Sequence, residues 1–246
     1  SVDFFRAFID DPYIFGKVAA NHALGDIFAM GGQAQTATAV CTVPSGLEAK
    51  VEDTLFQMMT GAVEVLNEAG CALVGGHTGE GKELALGFAV NGLVDENLRG
   101  VMVKGGMKAG DVLLLTKPIG TGTLFAAHAR YAAKGRWIDA ALKSMVLSNQ
   151  SGAAILRAHG ATACTDLTGF GLLGHLGEML GASPDPCRVV LKAAAIPALA
   201  GALPLLEQGW ASSLAPSNAS ALALLQERIE LQGQTDAAHQ ALLIDP

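Results

Sequence analysis

Three aspartates in three separate segments carry the chemistry this sequence offers. Ile14 to Phe28 is mostly apolar, but polar groups fall at Lys17, Asn21, His22, Gly25 and Asp26. Steps of four put Lys17, Asn21 and Gly25 in one helical row, with His22 and Asp26 in the next. Such a stripe is either a solvated face or a wet cleft in which a helix offers a carboxylate to a cation. The glycine costs helix stability, which favours close approach on that side. Asp166 lies between a short apolar stretch and the turn Thr168-Gly169-Phe170-Gly171, and Asp3 lies within an otherwise apolar start. Carboxylates beside glycines or strand ends suit Mg²⁺, which takes hard oxygen ligands and keeps waters and phosphate oxygens in its shell. Each alone also reads as a cap or turn carboxylate, and spacing does not show that the three meet.

Gly75-Gly76-His77-Thr78 follows the short apolar run Cys71 to Val74, expected to be a buried strand. Two glycines after a strand let backbone N–H groups face an anion. Gly120-Thr121-Gly122 before a helix is another phosphate seat, and equally an ordinary strand-to-helix turn. The chain contains no Walker loop and no nucleophile elbow. His77 stands out by position alone. His22, His128, His159, His175 and His239 have no partner at zinc spacing and read as structural.

The elements that must position these groups alternate between strand and helix. A strand-like start leads to Asp11, a good N-cap, and Pro12, suited to a first helical position. That helix is expected to end at Gly31-Gly32. Strands are expected at Ala34–Val43 and Leu84–Val94, with a helix at Val51–Ala69 between them. Arg99 to Gly110, with four glycines and three cationic groups, marks a boundary. Beyond it come an expected strand at Asp111–Thr116, helices from Thr123 and over Ile138–His159, a strand-like Thr162–Asp166, a helix through Leu180 and a final strand at Leu242–Ile244. The pattern predicts mixed α/β and α+β architecture in two domains, 1–107 and 108–246.

Composition narrows the function. The 246 residues are 50% apolar and 16% charged, which is ample for a core. A formal charge of −7 argues against nucleic-acid binding. The most membrane-like stretch, Ala193 to Leu206, is 14 residues long and holds Pro197 and Pro204, too short and broken to span a bilayer. Cys41, Cys71, Cys164 and Cys187 are scattered and read as free thiols of a reducing compartment, so a cytoplasmic location is expected. A start at Ser1 and a stop at Asp245-Pro246 read as cut ends of a longer polypeptide.

Several stretches together resemble selenide, water dikinase (selenophosphate synthetase). They are Ser1-Val2-Asp3-Phe4-Phe5, Asp11-Pro12-Tyr13 with Phe15-Gly16, Ala23 to Gly31 (ALGDIFAMG), Leu73 to Thr78 (LVGGHT), Leu115 to Gly122 (LTKPIGTG) and Thr165 to His175 (TDLTGFGLLGH). They follow the family's order over nearly the whole chain. The resemblance implies the two-domain fold of the superfamily that includes aminoimidazole ribonucleotide synthetase. Its N-terminal domain forms a barrel across a homodimer, and ATP lies in a cleft between domains. The implied reaction takes ATP, selenide and water to selenophosphate, AMP and phosphate, with Mg²⁺ and often K⁺. Asp3 and Asp26 match carboxylates that hold Mg²⁺ and the nucleotide phosphates, Asp166 matches a metal-binding Asp, and Gly75, Gly76 and His77 match a nucleotide-contacting segment contributed across the dimer. The family's catalytic Cys or selenocysteine, its Lys and a further Asp would precede Ser1, so no catalytic residue is assigned within the chain and the isolated piece is expected to be inactive. The motif wording resembles relatives fused behind a flavin-dependent oxidoreductase. The alternatives are a catalytically incomplete nucleotide-binding or dimerisation module, thiamine-monophosphate kinase, or the hydrogenase-maturation dehydratase of the same superfamily.

Overall fold

The computed structural model describes residues 1–98, 100–184, 187–225, 227–233 and 236–246. Arg99, one of the cationic groups at the expected boundary, lies outside the described residues. In chain order the elements are β1 Val2–Arg6, α1 Pro12–Ala29, β2 Gln33–Pro44, α2 Glu48–Glu68, β3 Ala72–Gly81, β4 Ala85–Leu93, α3 Thr121–His128, α4 Gly135–Val146, α5 Gln150–Ala158, α6 Gly171–Ala182, β5 Val189–Lys192, α7 Ala202–Glu207, α8 Ala215–Asn218, α9 Ser220–Leu225, β6 Ile229–Gln232 and α10 Ala237–Leu243. They form two compact units, Ser1–Met102 with Met145–Ala161, and Val103–Ser144 with Thr162–Pro246.

The first unit is a four-stranded sheet in the order β1-β4-β2-β3. β4 runs antiparallel to β1 and β2, whereas β2 and β3 are parallel. Helices α1 and α2 cover one face, burying Phe15, Leu24 and Phe28 of α1 with Leu86, Phe88 and Val90 of β4. The helices approach until backbones touch. A Cβ on Gly16 would sit 1.9 Å from the Met58 carbonyl oxygen, and one on Gly61 would sit 2.1 Å from that of Tyr13. The Asp11 carboxylate accepts the Ile14 N–H at 3.0 Å, as its N-cap position predicts. Gly31, at φ +71°, closes α1, and the next N–H, that of Gly32, bonds the Ile27 carbonyl at 2.9 Å.

The second unit packs its helices around two apolar clusters. One is centred on Leu124, Ala141, Leu205 and Leu242, the other on Leu173, Leu176, Leu180 and Leu243. β5 and β6 form a two-stranded parallel sheet beside them.

Several sequence expectations are corrected. Asp111–Thr116 forms no strand, and Val112 and Leu114 are 80% and 71% exposed; no neighbouring strand among the described residues pairs with this apolar run. Thr162–Asp166 is likewise irregular. Leu242–Ile244 is the end of helix α10, whose Asp236 cap accepts the His239 N–H; a three-residue apolar run has no period of its own. The helix expected over Ile138–His159 is two helices, α4 and α5, broken at Leu147-Ser148-Asn149. The strand at Cys71–Val74 continues through both glycines to Gly81 as an exposed edge. All four cysteines are free, with Cys41 and Cys71 buried, and burial pushes the Cys41 thiol up to about 11. No helix among the described residues is long and apolar enough to cross a membrane.

Candidate functional site

Asp3 and Asp26 meet in the first unit. Strand alternation turns Asp3 and Phe5 toward α1, while Val2, Phe4 and Arg6 point the other way. On α1, one turn of helix carries His22 and Asp26 to the same place. His22 Nε2 stands 3.7 Å from Asp3 Oδ1, its ring set edge-on to Phe5 at 5.2 Å between centroids. The Asp26 carboxyl is within hydrogen-bonding reach of Asp3 and also accepts the Ser1 hydroxyl. The polar contact with His22 holds Asp3 below the usual carboxylate range against the opposing effect of burial, with the His22 charge and the Asp26 carboxyl adding to it. Carboxyl oxygens from two elements brought this close are the donors a hard divalent cation takes.

The polar stripe of α1 is therefore neither a plain solvated face nor wholly a cleft. Asn21, 5% exposed, donates its side-chain amide to the carbonyls of Met145 and Leu147 at 2.7 and 3.0 Å. Lys17 pairs with Glu64 of α2 at 2.6 Å, beside the Tyr13 ring. Only His22 and Asp26 of the stripe face Asp3.

Gly75, Gly76 and His77 are placed elsewhere. β3 is the edge opposite β1, three strand spacings or about 14 Å away. Register aligns Phe4, Gly87, Val40 and His77 in one row on the face that no helix of this unit covers. Gly76 permits the pairing, since a Cβ there would lie 2.2 Å from the Ala39 carbonyl oxygen. Gly75 and Gly79 have open space on their Cβ side. As an edge, β3 leaves alternate N–H groups without a strand partner on its outer side.

Asp166 belongs to the second unit, on the irregular stretch before α6. Burial first, and the Asp166 charge second, raise the neighbouring Cys164 thiol. The Thr165 hydroxyl oxygen is buried with no hydrogen-bond partner among the described residues. Carboxylate and hydroxyl oxygens are the donors a hard divalent cation takes, so both places fit Mg²⁺ chemically. Among the described residues no group of three or more His, Cys, Asp and Glu side chains is placed to hold a metal ion.

The chain as a whole is similar to known proteins. Residues 1–94 match the family model described as AIR synthase related protein, N-terminal domain, and residues 108–213 match its C-terminal counterpart. The selenide, water dikinase of Clostridioides difficile is 33% identical over 246 residues, covering all of this chain and 68% of the relative. That of Bdellovibrio bacteriovorus is 36% identical over 249 aligned positions, again covering all of this chain and 68% of the relative. The chain belongs to the selenide, water dikinase family. The dikinase of Pelobacter propionicus is 39% identical over 211 residues, 85% of this chain, and the chain spans 58% of that protein's length. Solved structures share the fold at low identity. The hydrogenase maturation protein HypE of E. coli superposes at a TM-score of 0.71 and 19% identity, covering 96% of this chain and 84% of that one. Thiamine-monophosphate kinase of Stenotrophomonas maltophilia gives 0.70 and 17%, covering 99% and 70%. The two-domain aminoimidazole ribonucleotide synthetase-like fold expected from the motifs is thus the fold observed, with mixed α/β content.

Within this dikinase-family chain, two histidines that spacing gives as structural have partners at or near Asp3 and Asp166. His22 reads as structural because its partner Asp3 sits on another element. His175 is only 4% exposed and bonds Thr168 two residues after Asp166. The short step from Asp166 to His175 within one motif was the available signal.

Proposed function

We propose that this chain forms the nucleotide- and metal-binding part of an enzyme that makes selenophosphate from selenide, ATP and water, releasing AMP and phosphate. The observation that carries the proposal is the meeting of Asp3 and Asp26, two carboxyls from separate elements, in a chain of the selenide, water dikinase family. Asp3, Asp26 and Asp166 are assigned as Mg²⁺ ligands. When bound, the ion supplies positive charge to the triphosphate and to the charge that shifts during phosphoryl transfer. The protein's part is positional. His22 orients Asp3, the backbone of α1 fixes Asp26, and the remaining coordination is left to phosphate oxygens and water. K⁺ is proposed as a second cation.

The reading assigns Gly75, Gly76 and His77 to the nucleotide of a second copy, because β3 and β1 are opposite edges of one sheet. The helix-free face, with Val2, Phe4 and Val40 exposed, is the proposed homodimer surface on which the barrel closes. The catalytic Cys or selenocysteine and Lys, and a fused flavin-dependent oxidoreductase, are assigned to the parent polypeptide outside these residues. A cytoplasmic location agrees with four free cysteines.

The test is AMP and phosphate release from ATP and selenide by the full-length parent. Asp26→Asn and Asp166→Asn should each lower the rate about 100-fold or more, as loss of a metal-orienting ligand does. Unchanged rates would remove the metal assignment, and ADP as final product would point to the simple kinase chemistry of the superfamily.

A further inference from the structure

The stretch from Cys164 to Gly171 is irregular but held at three points, all within the second unit. The Cys164 N–H bonds the Val103 carbonyl at 2.9 Å. The side-chain amide of Asn218, itself 9% exposed, donates to the Gly169 carbonyl at 2.8 Å and to the Ile244 carbonyl at 3.1 Å. Between them, Thr168 presents both its backbone N–H and its hydroxyl to His175 Nε2, each at 3.0 Å. Asp166 lies in the span between the first and middle pins.

The middle pin has a defined protonation pattern. A backbone N–H can only donate, so Nε2 must offer its lone pair and the ring proton sits on Nδ1. Nδ1 faces Glu178 Oε2 at 3.2 Å, and that same oxygen pairs with Lys104 Nζ at 2.6 Å. Lys104 adjoins Val103, which holds the first pin, so the relay closes on the segment that anchors the loop's start. Phe170 stands edge-on to the imidazole at 5.6 Å between centroids, fixing its plane. A ring that only filled space would need neither a chosen tautomer nor a carboxylate to hold it.

We propose that His175 is a positioning residue for the reaction: through Thr168 it sets the backbone that carries Asp166, and Glu178 with Lys104 holds it in the tautomer that does so. The inference rests on the reading of Asp166 as a metal ligand. It predicts that losing the imidazole weakens cation-dependent nucleotide binding without unfolding the unit. Partners that orient a metal ligand are typically worth about ten-fold or more in affinity.

The experiment uses the full-length enzyme and titrates a non-hydrolysable ATP analogue, methylene-bridged between its β and γ phosphorus atoms, with and without Mg²⁺ by calorimetry. Backbone hydrogen exchange across 164–171 and thermal unfolding are followed in parallel without ligand. His175→Phe keeps the ring volume and removes the ring's hydrogen bonds to Thr168 and Glu178. It should weaken Mg²⁺-dependent binding about ten-fold and speed exchange at Thr168, with little change in unfolding temperature. His175→Gln retains an acceptor and a donor and should restore binding to within about three-fold. Glu178→Ala changes an exposed side chain, so it guards against a misfolded His175→Phe, and should weaken binding about three-fold. The proposal is overturned if Asp166→Asn weakens Mg²⁺-dependent binding while His175→Phe and Glu178→Ala leave it within two-fold of the parent. If Asp166→Asn itself has no effect, the metal reading fails first and the role of His175 falls with it.

Discussion

His22 on α1 stands 3.7 Å from Asp3 on β1, and this contact keeps the Asp3 carboxyl easier to ionise than a free one. A depressed carboxyl contributes stability that is present above its unfolded value of 3.8 and is lost as pH falls through its folded value. The stability gap between the parent chain and His22→Gln should therefore be full near pH 5 and shrink below about pH 3.8. Urea unfolding at a series of pH values reads this directly. Parallel curves for the two proteins would show that His22 does not hold Asp3.

Asp245 should produce the opposite slope. It is 1% exposed, Thr123 donates its hydroxyl to Oδ1 at 2.5 Å, and Oδ2 has no hydrogen-bond partner among the described residues. Burial pushes this carboxyl up to about 6, while hydrogen bonds from Thr123 and Gly122 work against the rise. A raised carboxyl binds more protons folded than unfolded, so stability falls as pH rises from about 4 to about 6. Moving a carboxyl that far corresponds to on the order of 3 kcal/mol. Asp245→Asn should lack this loss, seen as a flatter dependence of denaturation midpoint on pH.

The α1–α2 contact should be intolerant of a single methyl. Gly16→Ala places a Cβ against the Met58 backbone oxygen, and backbone cannot rotate away as a side chain can. A cost of about 1–3 kcal/mol or more is expected. Gly152 of α5 has open space at its Cβ position, so Gly152→Ala should be neutral or add about 0.5–1 kcal/mol. Paired denaturant titrations compare the two.

On the helix-free sheet face, Phe4 and Val40 lie in one row with His77 at its end. Val40→Glu puts a charge into that row. If the proposed homodimer closes on this face, light scattering on the eluted protein should show a shift from dimer to monomer, with the circular dichroism spectrum unchanged. A persistent dimer would place the interface on another surface.

How much of this was legible depends on where each element finds its partners. α1 could be read to its ends because Asp11, Pro12, the apolar spacing and Gly31 all agree. The strand nature of Gly75 to Gly81 could not, since paired glycines signal a turn and the pairing comes from Thr38 to Pro44, more than thirty residues earlier. The break between α4 and α5 was equally hidden. No Gly or Pro marks Leu147-Ser148-Asn149. Instead Asn21 binds the Met145 and Leu147 carbonyls on either side of the end of α4, a tie that spans more than 120 residues. Asp26 and Asp166 could be singled out by motif, and His22 and His175 lie close to them in the chain, but the meeting of α1 with Asp3 on β1 is set by tertiary contact.

The Asn21 tie has an effect during synthesis. Because α5 joins α1 in the first unit, with Arg157 reaching the Gly31 carbonyl at 2.9 Å, that unit lacks a piece until residue 161 has been made. By then the opening third of the second unit, Val103 to Ser144, has already been made. No single cut in the chain separates the two units intact, and a truncation after Met102 would leave the amide of Asn21 with neither of its acceptors.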